Sequence, residues 1–368
     1  MVADAARPVI GVPKESAEEE TRVAMVPKAL GRLLSRGVDV VVESGAGERA
    51  HLDDAQFTEA GASIGDPWAA DIVVKVTPPT GEEVGKLRTG SILIGFLAPR
   101  TNTEGVDALQ KAGVRAFAME AIPRISRAQG MDALSSQANV AGYRSVLLAA
   151  EHLPRFFPML TTAAGTVPPA TTLVLGVGVA GLQALATARR LGSRTTGYDV
   201  RPEVADQVRS VGADWLALDI EAVGEGGYAR ELTDDERAEQ QRQLTEATKK
   251  FDVVITTALV PGRKAPTLVT EDAVRGMRPG SVIVDLAGET GGNCELTEPG
   301  KVSTAHGVTI VSPLNLPAGM PEHASELYAR NITQLIELMV SKEGELAIDF
   351  DDQVLADSCV AGREVAES

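Results

Sequence analysis

Leu173-Val-Leu-Gly-Val-Gly-Val-Ala-Gly181 runs straight into Leu182-Gln-Ala-Leu-Ala-Thr-Ala-Arg-Arg-Leu191. The apolar residues Thr172–Leu175 read as a strand, and Leu182–Leu191 reads as a helix. Three glycines with Gly-x-Gly-x-x-Gly spacing stand at the junction. Gly176 permits the tight turn, Gly178 lets a pyrophosphate approach the backbone, and Gly181 lets the helix pack close to the strand. The helix N-terminus offers free N–H groups and the positive end of its dipole to the phosphates. Asp199 lies 23 residues past Gly176, after the strand Arg194–Tyr198. A carboxylate there accepts hydrogen bonds from the adenosine ribose and repels a 2′-phosphate. The unit is therefore expected to bind NAD(H), with Val179, Ala180, Val200 and Arg201 also at the cofactor. Arg201 offers some tolerance of a phosphate.

Further apolar runs lie on both sides. Pro8–Val12, Val38–Val42, Asp71–Val76, Ser91–Leu97 and Val114–Ala118 read as strands, with helices at Lys28–Arg36 and Asp107–Ala112. Phe251–Thr256, Ser281–Leu286 and Val308–Val311 continue the series beyond the fingerprint. Strands alternating with helices predict parallel sheets. The expected fold is α/β, with two Rossmann-like parallel-sheet domains and the cofactor cleft between them. The N-terminal domain is expected at 1–137 plus 321–368, and the NAD(H)-binding domain at 138–320. A helix at Ser325–Lys342 returns the chain to the first domain. Arg124–Asn139 is polar and breaks the rhythm before a helix from Val140 to Leu153. Ala222–Lys250 is Gly-rich, then highly charged. That length suits a lid over a site, or a surface helix with a loose lead-in.

Composition narrows the function. The chain has 368 residues and a net charge of −16, which argues against nucleic acid as a partner. Cys294 and Cys359 follow no metal or redox spacing, and four scattered histidines form no metal cluster, so no metal is expected. Met1–Arg7 does not resemble a signal peptide. The uncharged stretch Thr171–Ala188 splits into strand, turn and helix rather than a membrane span. Thr256-Thr-Ala-Leu-Val-Pro-Gly262 closes a strand, where ligands sit in such sheets. Its small apolar residues suit a flat nicotinamide ring, with Thr257, Ala258 and Leu259 the candidate contacts. Read alone, a plain strand-to-turn transition fits it equally.

Gly11-Val-Pro-Lys-Glu15, Arg22-Val-Ala24, the Gly176 fingerprint, Thr256–Gly262, and Val284-Asp-Leu-Ala287 leading to Gly291-Gly292 form a recognisable set. Together they resemble the family uniting alanine dehydrogenases with the NAD(H)-binding component of proton-translocating nicotinamide nucleotide transhydrogenases. The resemblance covers nearly the whole chain. Oxidative deamination moves protons as well as a hydride, so it needs a positioned acid/base and a group for the carboxylate. The resemblance places a Lys and a His of the alanine dehydrogenases where this chain has Thr77 and Ala98. Lys75 and Arg22 remain, but Lys75 lies two places before the position where the resemblance sets the lysine. Transfer between two nicotinamides needs only closeness, orientation and exclusion of water.

The segment Arg124-Ile-Ser-Arg-Ala-Gln-Gly-Met-Asp-Ala-Leu-Ser-Ser-Gln-Ala-Asn139 resembles a polar loop of the transhydrogenases. The resemblance implies that Arg124, Gln129, Asp132 and Ser135 hold the nicotinamide end and are the catalytic set. An Arg–Asp pair can fix such a loop, while Gly130 departs from the pattern and loosens it. Gly226-Gly-Tyr-Ala229 resembles the family's mobile loop, and Gly227, Tyr228 and Gln240 are implied nucleotide contacts. The resemblance further implies a homodimer, an NADP(H)-binding subunit and a membrane-spanning subunit as partners. It implies a cytoplasmic location, peripheral to the inner face of the plasma membrane, and hydride transfer between NADH and NADP⁺ coupled to proton translocation. The chain ends at Ser368 without a membrane-length apolar span, so the proton path is expected on other subunits. The alternatives are an NAD-dependent alanine or amino-acid dehydrogenase and a non-catalytic NAD(H)-sensing module.

Overall fold

The computed structural model describes residues 7–219, 233–259 and 264–363. The chain forms two compact units, Met1–Gln137 with Pro317–Ser368, and Ala138–Leu316. In chain order the strands are β1 Val9–Val12, β2 Asp39–Val42, β3 Ser63–Ile64, β4 Ile72–Val74, β5 Ile92–Gly95, β6 Arg115–Ala118, β7 Leu160–Thr162 and β8 Gly165–Val167. They continue with β9 Thr171–Leu175, β10 Arg194–Tyr198, β11 Asp214–Trp215, β12 Val253–Thr256, β13 Val282–Asp285, β14 Val302–Ala305, β15 Val308–Val311 and β16 Cys359–Ala361.

The first unit carries a sheet of order β16-β6-β5-β4-β1-β2-β3, and the second a sheet of order β11-β10-β9-β12-β13-β15-β14. Apart from one antiparallel edge strand each, β16 and β14, the pairings are parallel. Six parallel strands in each sheet follow the doubly wound order 3-2-1-4-5-6, which reverses direction beside its first strand. The expected α/β architecture is therefore present in both units. The antiparallel edges, and a separate hairpin of β7 and β8, add to it.

Helices cover both faces of each sheet, so the central strands carry continuous buried apolar runs rather than an alternating pattern. Side chains still divide by parity. In the first unit Ile72, Val74, Ile92 and Ile94 join the core of Leu30, Tyr328 and Ile332, while Val73 and Leu93 join the opposite layer with Leu109 and Val114. In the second unit Val174, Val253, Ile255 and Val284 face one layer, and Leu173, Leu175, Val254 and Ile283 the other. The helix Pro321–Met339 buries Tyr328, Ile332, Leu335 and Ile336, which anchors the returning C-terminal segment in the first unit.

The helix expected from Val140 begins earlier, at Ala133, and runs to His152. Asp132 explains the start: its carboxylate accepts the Ser135 N–H at 2.9 Å and the Ser135 hydroxyl at 2.6 Å, which caps the first turn. Only the first half of the polar stretch is thus non-helical in the α sense, with a 3₁₀ segment at Ser126–Met131. The fingerprint helix likewise begins at Val179, inside the glycine motif. In the charged insertion, the helix Asp234–Thr248 starts at a capping box between Thr233 and Glu236.

Candidate functional site

In the second unit the turn between β9 and the helix Val179–Arg190 lies at the reversal point of the sheet. Its glycines differ in surroundings. Gly176 has φ +91°, a region that glycine alone adopts without strain, and a Cβ there would meet Thr257 Oγ1 at 2.8 Å. A Cβ on Gly181 would overlap the Gly176 carbonyl oxygen and lie 3.3 Å from Val174 Cγ1. Gly178 faces open space, with nothing within 4 Å of a built Cβ. Two glycines therefore serve the fold of the turn, and the third leaves room for a ligand beside the helix N-terminus. Val179, at 41% exposure, Val200, at 67%, and Leu259, at 55%, are apolar side chains left open to solvent.

Asp199 follows β10. Its Oδ2 accepts the Val177 N–H at 2.8 Å, which ties the carboxylate to the glycine turn. Oδ1 accepts the Arg201 N–H and the Arg201 Nε–H, both at 3.0 Å, and Oδ2 also accepts Arg201 Nη2–H at 3.1 Å. Burial pushes the Asp199 carboxyl up, but the Arg201 side chain and the two backbone N–H groups outweigh it and hold the carboxyl below its ordinary value. Tyr198 lies next to it, stacked on Trp215, and Gln240 Nε2 donates to its hydroxyl at 2.8 Å. Burial first, and the Asp199 charge second, push the tyrosine up to about 12. Gln240 thus stands within one hydrogen bond of the residue preceding Asp199. Gly227 and Tyr228 lie outside the described residues, as do Val260, Pro261 and Gly262.

Opposite the turn, the Thr257 hydroxyl donates to the Gly176 carbonyl at 2.7 Å. Ala258 is held on both sides by Asn293, which accepts its N–H at 3.0 Å and donates to its carbonyl at 2.9 Å. Asn293 is placed by Asp285, at the end of β13. That buried carboxylate accepts from five donors: the Thr256 and Thr297 hydroxyls and the N–H groups of Ala287, Asn293 and Cys294. Sequence reasoning missed Asp285 and Asn293 as organisers of the Thr257–Leu259 segment. The available signal was a carboxylate at the carboxyl end of a central parallel strand. It also missed Gly142 on the helix Ala133–His152, where a Cβ would overlap the Ala180 carbonyl oxygen. That close approach seats the long helix against the start of the fingerprint helix.

In the first unit Arg124 and Gln129 are exposed, while Asp132 and Ser135 bond each other at the helix start. Asp132 forms no ion pair with Arg124, because the helix cap takes its carboxylate. The expected slack at Gly130 is also absent. Its carbonyl accepts Asn331 Nδ2–H at 2.8 Å, and the Gln334 amide occupies the space of its missing Cβ. Arg127 anchors the same segment through two 2.8 Å bonds to Asp352.

Lys75 is fully buried and makes ion pairs of 3.2 Å with Glu15 and with Glu83. Thr77 donates its hydroxyl to Glu15. Arg22 is buried against Glu20, with bonds of 2.7 Å from Nε and Nη2, and its Nη1 donates to Gln137 at 2.9 Å. Ala98 stands at φ +51° with its N–H on Glu120 Oε1. Among the described residues Glu120 Oε2 is buried without a hydrogen-bond partner, and burial raises this carboxyl above its ordinary value.

The model "Alanine dehydrogenase/PNT, N-terminal domain" matches residues 11–141, and "Alanine dehydrogenase/PNT, C-terminal domain" matches residues 145–365. The chain belongs to the alanine dehydrogenase/PNT family. Among relatives in this family, the NAD(P) transhydrogenase subunit alpha of Haemophilus influenzae is 44% identical over 354 residues, covering 94% of this chain and 69% of the relative. The alanine dehydrogenase of Mycolicibacterium smegmatis is 31% identical over 360 residues, covering 95% of this chain and 91% of the relative. A solved transhydrogenase from Sinorhizobium meliloti superposes with a TM-score of 0.89 at 43% identity, covering 96% of this chain and 98% of the other.

Both branches of the alanine dehydrogenase/PNT family are thus within reach, with identity higher toward the transhydrogenases. Among the described residues no helix is long and apolar enough to cross a membrane, and no group of His, Cys, Asp and Glu is arranged to hold a metal.

Proposed function

We propose that this chain is the NAD(H)-binding component of a proton-translocating NAD(P) transhydrogenase. It passes hydride between NADH and NADP⁺ held on a partner subunit, and a membrane-spanning subunit couples the transfer to proton movement. The observation that carries this reading is the state of the acid–base positions. Thr77 and Ala98 have no side chain that takes a proton near neutral pH, and Lys75 and Arg22 are held in buried ion pairs. An amino-acid dehydrogenase has protons to move and would be disabled by this arrangement. A ring-to-ring transfer moves none at a heteroatom.

The residues of the second unit fit a dinucleotide. The open space at Gly178 and the N–H groups of the helix from Val179 receive the pyrophosphate. Asp199 takes the adenosine ribose, with Val200 and Gln240 beside it. Thr257, Ala258 and Leu259 form a small apolar surface whose backbone Asn293 holds in place. Bound NADH supplies the hydride that goes to the partner's nicotinamide. Arg124 and Gln129 hold the nicotinamide end, and Asp132 and Ser135 fix their segment through the helix cap. The active species is a homodimer docked peripherally at the inner face of the plasma membrane.

The purified chain, given L-alanine and NAD⁺, is expected to form no NADH. Mixed with an NADP(H)-binding transhydrogenase component, it is expected to transfer hydride. Sustained NADH formation from alanine would refute the proposal.

A further inference from the structure

The Asp199 carboxylate is fully subscribed in this structure. It offers about four acceptor directions. Two are taken by backbone N–H groups, of Val177 and Arg201, and two by the Arg201 guanidinium. The backbone pair belongs to the turn and stays with it. The guanidinium pair comes from a side chain that is 53% exposed, whereas the Asp199 side chain is only 7% exposed. A ribose presents two hydroxyls.

We propose that Arg201 is an internal stand-in for the adenosine ribose: it occupies the two acceptor sites that the 2′- and 3′-hydroxyls take, and it leaves them when nucleotide binds. The inference rests on the NAD(H)-binding reading and adds to it a residue that sets affinity and selectivity. Two N–H donors depart as two O–H donors arrive, so the number of hydrogen bonds to Asp199 is conserved. The net gain from the ribose is therefore small, and nucleotide leaves readily. Between turnovers the Arg201 guanidinium also keeps the carboxylate ionised and aimed, because its positive charge and two N–H donors favour the anion. The displaced guanidinium is then free to meet a 2′-phosphate, which weakens the discrimination that Asp199 alone would impose.

The experiment compares wild type with Arg201→Met, which keeps an apolar stem and removes the charge, and Arg201→Lys. The probes are NADH, ADP-ribose and 2′-phospho-ADP-ribose, followed by titration calorimetry and by stopped-flow dissociation. The Arg201 end of the pair is exposed and competes only weakly, so Arg201→Met is expected to bind NADH and ADP-ribose about two- to fivefold more tightly, through slower dissociation. The same variant should bind 2′-phospho-ADP-ribose about tenfold more weakly, the loss of one charge-assisted contact. Arg201→Lys should restore part of the phosphate affinity. Unchanged or weaker NADH binding by Arg201→Met overturns the proposal, since it would make Arg201 a direct contact or a bystander. If wild type binds neither NADH nor ADP-ribose, the NAD(H)-binding reading itself has failed.

Discussion

Gly178 and Gly181 are three residues apart, yet alanine at each should do opposite things to the protein. A Cβ on Gly181 would overlap the Gly176 carbonyl oxygen, 3.0 Å from its carbon and 3.3 Å from Val174 Cγ1. All of these are strand or turn atoms that cannot swing aside. The helix Val179–Arg190 must then lift off β9, at a cost of about 1–3 kcal/mol for overpacking. At Gly178 a Cβ meets nothing within 4 Å, and φ −81°, ψ −159° suits alanine. Gly178→Ala should leave stability within about 1 kcal/mol of wild type, because the lower entropy of the unfolded chain offsets the poorer N-cap that alanine makes for this helix. That Cβ would nevertheless fill the space assigned to the pyrophosphate. Losing one or two charged-acceptor hydrogen bonds of about 1.5–3 kcal/mol each predicts at least a tenfold weaker NADH affinity. Urea unfolding and NADH fluorescence titration, run on both variants, test this. Gly181→Ala should lose stability and binding together, and Gly178→Ala binding alone. A Gly178→Ala protein that binds NADH like wild type would refute the placement of the phosphates.

Lys75→Met strands Glu15 and Glu83 in the interior without their cation. It should cost about 3–5 kcal/mol in chemical denaturation, as broken buried pairs do, with a purely structural effect on activity. Glu120 is more readily protonated in the folded chain than in the unfolded one, because burial raises its carboxyl above 4.5. Wild-type stability is therefore expected to fall as pH rises from 4.5 through the raised value. Glu120→Gln should match wild type near pH 4 and exceed it at about pH 7.5, as read from melting temperatures at both pH values. Gly142→Val should push the Ala180 carbonyl and shift the fingerprint helix, lowering NADH affinity without touching the ligand directly. Isothermal titration against NADH checks it, and unaltered affinity would show that the helix contact is not part of the site.

The central strands were readable because both of their faces are buried, so β4, β5, β9, β12 and β13 stand out as apolar runs. The edges were not. β14 and β16 carry half-exposed residues, and no local pattern marks them as the antiparallel partners of β15 and β6. The roles of Gly176, Gly178 and Gly181 were legible because spacing alone places them around one turn. The start of the helix at Ala133 was hidden by polar residues, of which Asp132 and Ser135 serve as its cap rather than as loop. Asp285 and Asn293 were out of reach because their partners lie up to 35 residues away in sequence. The guanidinium of Arg201 was expected near the ribose site, but only the geometry shows that it saturates Asp199.

The most direct test of ring-to-ring transfer is to follow the hydrogen itself. NADH carrying deuterium at C4 on the transferred face would be mixed with this chain and a transhydrogenase partner loaded with NADP⁺, and the products analysed by mass spectrometry. Complete passage of the label into NADPH, with none lost to solvent, is the predicted result. Label washed out into water, or transfer that proceeds only when an amino acid is supplied, would contradict it.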